Sequence, residues 1–454
     1  MSGAHLAGRK LHFVGIGGAG MSGLALVAKA LGAEVTGSDR ADSPYCEPLR
    51  REGIEPRIGH DARGLPPEAD VVVSTAIPED NSELAAARQA GMRILHRGDL
   101  LGEISRLKRS ITVAGAHGKT TTASMVAHVL LEQGLDPAFL IGGELRSAHT
   151  NARWGAGDWI VVEGDESDRS FLKLARDVAV VTNVELDHHA TYRSLGELEE
   201  AFREFAAPAT LRVLRHGLEL PGSGELVTFG LDEGDLRAEA VELRPGGSAF
   251  TVDGVRVELA VPGAHNVENA LAAIAACRAA GVSPAEAAAP LGGFSGAGRR
   301  FEDHGRTASG ARVVDDYAHH PTEVRATLEA ARTLQPERLV ACFQPHLYSR
   351  TRELAREFGK ALALADVVVV LDVYPARELA GDFPGVSGLL VAQAAADAAG
   401  GRSVWWLPSH EEAERFLENE LREGDLLVTL GAGDVDRVAR ELAGAAGPAE
   451  AQAR

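Results

Sequence analysis

The stretch SITVAGAHGKTTTASMVAHVLLEQG at residues 110–134 decides how the rest of the chain is read. A short apolar run of strand type meets a glycine-bounded turn, and apolar residues at helical spacing then continue until Gly134. Strand, glycine turn and helix together form the context of a phosphate-binding loop. Glycine lets backbone N–H groups turn toward an anion, and the helix N-terminus adds partial positive charge. Lys119 offers a point charge to the β- and γ-phosphates of ATP, and Thr120 a hydroxyl for Mg2+. Gly115, Ala116, His117, Gly118, Lys119, Thr120 and Thr121 are therefore candidate ATP-binding residues. Val113 stands where the general phosphate-loop pattern has glycine, so the shorter GxxGKTT form is what this chain carries.

The same alternation of strand and helix extends to both sides. Before the loop come LHFVGIG, a helix over about 20–31, EVTGSD, DVVVSTA, a helix over about 81–90 and RILH, a parallel α/β unit. After it come WIVVEGDE and VAVVTNVE, then short alternating strands with PGG and DG turns over 224–262, which predict an antiparallel patch. HNVENALAAIAACRAAG closes that block as an amphipathic helix ending in glycine. Alternation resumes with ARVVDDY, a helix from about 321, LVACF, DVVVVLDV, SVWWLP and DLLVTLG. The expectation is an α/β protein of three domains: a Rossmann-like domain over 1–108, a central P-loop-type ATPase domain with a mixed sheet over 109–298, and a second Rossmann-like domain over 299–454. The tail GAAGPAEAQAR is of disordered composition.

Composition narrows the function classes. A formal net charge of −19 argues against a nucleic-acid partner, which a basic surface would serve. No run of apolar residues is long enough to span a bilayer, and residues 1–10 lack the apolar core of a signal peptide, so a cytoplasmic protein with no membrane partner is expected. Cys46, Cys277 and Cys342 are odd in number and widely spaced, which suits a reducing compartment.

Polar residues gather where the strands end, and in open α/β sheets ligands bind beyond the carboxyl ends of strands. Glu163, Asp165, Glu166 and Asp168 follow WIVV, and Asn183, Asp187, His188 and Tyr192 follow VAVVT. Carboxylate and imidazole near a phosphate loop can serve metals that neutralise phosphoryl charge. Asp315, Asp316, Tyr317, His319 and His320 follow one C-terminal strand, and Gln344, His346, Arg350 and Arg352 the next. Near the N-terminus, Gly15, Gly17, Gly18 and Gly20 follow a strand and open a helix, with Asp39 ending the next strand. Alone, that fingerprint reads as NAD binding; the same geometry serves any pyrophosphate, including that of a UDP-sugar.

Taken together, HFVGIGGAGMSGLA (12–25), GAHGKTT (115–121), EGDESDRSFL (163–172), TNVELDHHATY (182–192), PGAHNVENALAA (262–273), GRRF (298–301), DDYAHHPTE (315–323) and FQPHLYSRTREL (343–354) resemble the Mur ligases, in order and over nearly the whole chain, and are most similar to the L-alanine-adding branch. The resemblance implies a UDP-sugar domain, a central ATPase and a C-terminal domain that completes the ATP site and holds the amino acid. It implies UDP-N-acetylmuramate and L-alanine as small-molecule substrates, with ATP and Mg2+. By motif position, Thr120 and Glu163 would hold one Mg2+ and His188 a second, with Lys119, Glu163 and His188 as the catalytic set. Asn266 and Asn269 would meet adenine, and Arg300 and Asp316 would close over the nucleotide. Gly15, Gly17, Gly18, Gly20, Asp39 and Ser74 would hold the UDP-sugar, and Tyr317, His319, His346 and Arg350 the amino acid. Leu347 stands where some relatives carry a second arginine.

Several relatives also use a carbamylated lysine fifteen residues after the histidine that corresponds to His188. Here position 203 is arginine, and no lysine lies between Lys173 and Lys360. Glu197, Glu199, Glu200 and Glu204 are candidates for the missing negative charge, although a glutamate-rich helix face is commonly just solvated. Three rival readings stand beside this one. A related recycling ligase would attach a preformed peptide to the same sugar nucleotide. An NAD(P)-dependent oxidoreductase leaves GAHGKTT without a purpose, and a non-enzymatic nucleotide-binding regulator leaves the placed polar residues idle.

Overall fold

The computed structural model describes residues 5–187 and 191–444. The chain is an α/β protein built on three main sheets. The N-terminal sheet is wholly parallel, in the order Arg57–Ile58, Glu34–Asp39, Lys10–Val14, Asp70–Val73, Ile94–His96. The helix Ala19–Ala30 follows its first strand.

The central sheet has eight strands, in the order Leu236–Arg237, Glu225–Gly230, Leu211–Arg215, Val178–Val181, Arg109–Ala114, Trp159–Glu163, Ala138–Leu145, Thr150–Arg153. Only the last pair is antiparallel. Near-continuous Val, Ile and Ala at 111–114, 160–162 and 178–181 suits strands covered on both faces. The phosphate-loop strand is inside, with Val113 paired to Glu163 and Ala114 to Val181. That register brings the carboxyl ends of three strands to one place.

The antiparallel patch expected over 224–262 is narrower than the sequence suggests. Glu239–Arg244, Gly247–Val252 and Val255–Leu259 do form a separate antiparallel sheet, while Glu225–Gly230 joins the central sheet in parallel. Helix Ala264–Cys277 carries AAIAAC fully buried against helix Lys119–Glu132, and alanine lets the two backbones approach closely.

The C-terminal sheet runs Glu302–Arg306, Arg312–Asp316, Asp425–Leu430, Arg338–Phe343, Val367–Val370, Ser403–Trp406, parallel except for its first strand. The N-terminal unit shares a core with the central one. Leu24, Val27 and Ala28 cluster with Leu140, Ala152 and Val162, each leucine or valine contributing about 1.5–3 kcal/mol when buried. A Cβ on Gly23 would fall 2.9 Å from that of Ala152, so glycine is what permits the contact. Among the described residues no helix is long and apolar enough to cross a membrane.

Candidate active site

The phosphate loop is closely packed by its own neighbours. Gly115 and Gly118 have φ of 140° and 78°, and a Cβ at either would fall within 2.1 Å of Thr182 or 2.4 Å of Asn269. The strand end beside it clamps the loop: the His117 N–H donates to Asn183 Oδ1 at 2.9 Å, and Asn183 Nδ2 and Thr182 Oγ1 donate to His117 O at 3.0 and 2.5 Å. Lys119 bends back over the loop. Its Nζ donates to the Gly115 and Ala116 carbonyls at 2.6 and 3.2 Å and to Glu166 at 3.1 Å. Burial alone would push this lysine down, but Glu166, Glu163 and Asp165 hold it above the ordinary value, so it is a fixed cation.

Thr120 Oγ1 donates to Glu163 Oε1 at 3.1 Å, and the other Glu163 oxygen accepts from the Gly142 N–H at 2.8 Å. A hydroxyl and a carboxylate side by side beside a phosphate loop are hard oxygen donors suited to Mg2+. His188 lies outside the described residues. The rest of the acidic run after Glu163 is paired to cations: Asp165 and Asp168 receive Arg97 at 2.5 and 3.2 Å, and Glu166 receives Lys119. On helix Leu195–Ala206, Glu199 and Glu200 are engaged with Arg203, while Glu197 accepts the Arg193 N–H and lies 3.5 Å from Arg169.

A cleft of about 970 Å³, counting its open mouth, runs from the loop to the C-terminal unit. His117, Gly118, Thr121, Asn266 and Asn269 line one side of it, and Arg300 and Asp316 the other. The two asparagines are linked, Asn269 Nδ2 donating to Asn266 Oδ1 at 3.2 Å, while Thr122 Oγ1 donates to Asn269 Oδ1 at 3.2 Å. Asp316 is held by the Phe301 and Ala318 N–H groups, both at 2.8 Å, and burial pushes it up to about 6. The two arginines of GRRF divide their roles. Arg299 bonds Asp315 at 2.9 Å and the Gly431 and Gly433 carbonyls, whereas Arg300 turns into the cleft, 3.6 Å from Glu323.

Glu323 and Glu185 converge on His117, at 3.5 and 3.3 Å. Burial would lower this histidine, but the two carboxylates raise it to about 9. Ligand-capable atoms of His117, Glu185 and His320 lie within 4.8 Å of one another. The two carboxylates that hold His117 protonated make an ionic contact across the cleft. Glu185 and Glu323 line the cleft and contact His117, and neither is among the candidates the sequence singles out. A glutamate in the first turn of a helix, as Glu323 is, or in the loop after a strand, as Glu185 is, carries no mark of the distant residue it will meet.

The amino-acid candidates do gather. Tyr317 and His319 have ring centres 5.4 Å apart, and His319 and His346 6.0 Å. Burial pushes His319 down to about 4 and His346, near other cations, down to about 2, so both are neutral. Arg350 is engaged already, its Nε and Nη2 each donating to Asp187 at 2.9 Å.

In the N-terminal unit the glycine loop is closed by its own acid: the Gly17 N–H donates to Asp39 Oδ2 at 2.8 Å, and Ser43 Oγ to Gly17 O at 2.6 Å. Gly15 has φ 81°, and Gly18 caps the helix Ala19–Ala30 with its own backbone. Ser74 opens the neighbouring turn, its carbonyl accepting from the Ile77 N–H at 3.1 Å, and a Cβ on Gly15 would touch Ile77. A Cβ on Gly20 would lie 3.1 Å from Arg97 Nη1. Arg97 therefore bridges this loop and the Asp165–Asp168 cluster, a link the short RGD sequence after RILH does not announce.

Comparison with known proteins matches three family models along the chain: the Mur ligase family catalytic domain over residues 10–109, the Mur ligase middle domain over 113–277, and the Mur ligase glutamate ligase domain over 299–433. The chain is 45% identical to the UDP-N-acetylmuramate–L-alanine ligase of Rubrobacter xylanophilus, over 95% of this chain and 99% of that protein. Among solved structures, the UDP-N-acetylmuramate–alanine ligase of Thermotoga maritima superimposes with a TM-score of 0.83 at 32% identity, covering 95% of this chain and 98% of that one. A murein peptide ligase of Psychrobacter arcticus gives 0.75 at 26% identity, covering 97% and 99%. With all three domain models in sequence and relatives matched end to end, the chain belongs to the Mur ligase family.

Proposed function

We propose that this chain is an ATP-dependent ligase that joins L-alanine to the carboxylate of UDP-N-acetylmuramate, in the synthesis of peptidoglycan precursors in the cytoplasm. The observation that carries the reading is the meeting at one cleft of the phosphate-loop residues His117, Gly118 and Thr121 with Arg300 and Asp316 of the C-terminal unit; the rings of Tyr317, His319 and His346, which begin at the residue after Asp316, adjoin one another in turn. The end-to-end likeness to the Rubrobacter and Thermotoga ligases supports the choice of substrates.

In this mechanism residues 1–108 hold the UDP-sugar at Gly15, Gly17, Gly18, Gly20, Asp39 and Ser74. Residues 109–298 hold ATP at the loop 115–121 and at Asn266 and Asn269, and residues 299–454 close over it. A carboxylate does not acylate an amine until one oxygen becomes a good leaving group. The muramyl carboxylate oxygen attacks the γ-phosphorus and ADP leaves. The alanine amine then attacks the carbonyl carbon, inorganic phosphate leaves, and the amine gives up a proton. Lys119, fixed by Glu166 and two loop carbonyls, stands where charge spreads over the transferring oxygens. Thr120 and Glu163, and His188 by motif, are the residues that would hold Mg2+, which when bound supplies charge neutralisation at the phosphates.

The test is release of phosphate from ATP. It should require both UDP-N-acetylmuramate and L-alanine, and a dependence on a tripeptide in place of L-alanine would favour the peptide-adding reading instead.

A further inference from the structure

The ring wall beside the cleft does not end at His346. Tyr374 stacks on it with centres 5.8 Å apart and an interplanar angle of 12°. On the ligase reading, which this inference extends, the α-carboxylate of L-alanine must be bound against this wall. A carboxylate taken out of water needs a cation or several donors to offset its lost hydration.

The cations expected there are committed or missing. Arg350 spends two nitrogens of its fork on Asp187, and Nη1 faces His346, 3.1 Å from Nδ1 and 3.4 Å from the carbonyl. Leu347 is buried and apolar. His319 and His346 are neutral and can offer a hydrogen bond but no charge.

The segment 373–378 lies directly against this wall and is pinned at both ends. The Tyr374 N–H donates to Pro345 O at 2.8 Å, and the Leu347 N–H donates to Tyr374 O at 2.9 Å. Glu378 accepts from the Ser349 N–H at 2.9 Å and from Ser349 Oγ at 2.5 Å. Arg377 sits between these anchors. It is exposed, forms no ion pair with any described residue, and its charge reaches His346, helping to keep that ring unprotonated.

We propose that Arg377 binds the α-carboxylate of the amino-acid substrate, supplying from the pinned 373–378 segment the positive charge that Leu347 does not provide and that Arg350 has committed to Asp187. A guanidinium is suited to this, since its planar fork matches a carboxylate at two points. Recognition by charge from the rim also leaves the ring wall to contact the small side chain.

The experiment measures phosphate release at saturating ATP and UDP-N-acetylmuramate while varying L-alanine, and separately L-alaninamide, which lacks the carboxylate charge. Arg377→Gln should raise KM for L-alanine about ten-fold or more, by loss of a charge-assisted contact. It should leave KM for ATP unchanged and shrink the preference for L-alanine over L-alaninamide. Arg377→Lys should recover part of both. The preference is a ratio, so a partly unfolded preparation does not alter it. An unchanged KM for L-alanine and an unchanged preference in Arg377→Gln would overturn the proposal. Absence of L-alanine-dependent phosphate release by the parent enzyme would overturn the ligase reading instead.

Discussion

The imidazole of His117, in the phosphate loop, lies against that of His320, at the start of a C-terminal helix, with ring centres 4.5 Å apart. Glu185 and Glu323 bracket His117 and hold its charge, so a loop of the central unit and a helix of the C-terminal unit meet through an ionic contact over the cleft.

That contact has a pH signature. The folded pKa of His117 is about 9 against an ordinary 6.5, a raised value. Its stabilisation is therefore complete below about pH 6.5 and is lost as pH rises through about 9, with a full size on the order of 3 kcal/mol. The thermal midpoint of the parent should exceed that of His117→Gln at pH 6, and the gap should narrow by pH 9.5. A gap that stays constant across this range would show that His117 is not held as a cation.

The Arg350–Asp187 pair joins the same two units, with side chains only 3% and 4% exposed. Arg350→Ala would leave the Asp187 carboxylate in a desolvated place without its guanidinium, a defect on the order of 3–5 kcal/mol. Calorimetry should show a clear fall in melting temperature for Arg350→Ala and a partial recovery in Arg350→Ala with Asp187→Ala. Additive losses in the double variant would mean that the pair is not coupled.

Lys119→Ala should fold, since the side chain lies on loop carbonyls and Glu166 and not in an apolar core. It should lose turnover, because a fixed charge at a transferring phosphoryl group is worth about 3–4 kcal/mol, or two to three orders of magnitude in kcat. Retention of more than about a tenth of parental kcat would remove the lysine from this role.

The first glycine loop is a matter of what its acid is doing. In a dinucleotide site the acid at the end of the second strand is free for the ribose hydroxyls. Here Asp39 accepts the Gly17 N–H. NADH should therefore not displace UDP-N-acetylmuramate in calorimetric competition. Micromolar NADH binding lost on adding the sugar nucleotide would return the oxidoreductase reading to contention.

How much of this is legible in the sequence follows from what each feature depends on. GAHGKTT can be read because glycine, lysine and threonine at fixed offsets suffice to make the loop. The strand Ala138–Leu145 is hard to see because Gly142 and Gly143 interrupt it, although Gly142 is where the Glu163 carboxylate comes close. The helix Arg97–Ser105 is short, and its N-cap is a histidine rather than the usual serine or aspartate. Arg97 with Asp165, His117 with Glu323, and Arg350 with Asp187 are contacts between residues far apart in the chain, and no local pattern encodes them.

The last expectation concerns carbon dioxide. A carbamylated lysine needs a neutral amine within reach of the metal site, and the lysines of this chain are accounted for. Lys119 is held charged at the phosphate loop, Lys173 pairs with Asp99 at 2.6 Å, Lys108 lies over Trp154, Lys360 is exposed on the helix Tyr348–Leu362, Lys10 opens the first strand of the N-terminal sheet, and Lys29 donates to the Glu52 carbonyl in the same unit. Position 203, fifteen residues beyond His188, is an arginine paired with Glu199 and Glu200, and arginine stays protonated. The negative charge near the phosphates must then come from fixed carboxylates, and Glu163 and Glu166 beside Lys119 and Thr120 are placed to give it. Activity should accordingly be the same in thoroughly degassed buffer as in buffer with added bicarbonate. A kcat that falls on degassing and returns with bicarbonate would show that a carbamate forms after all, at one of these lysines.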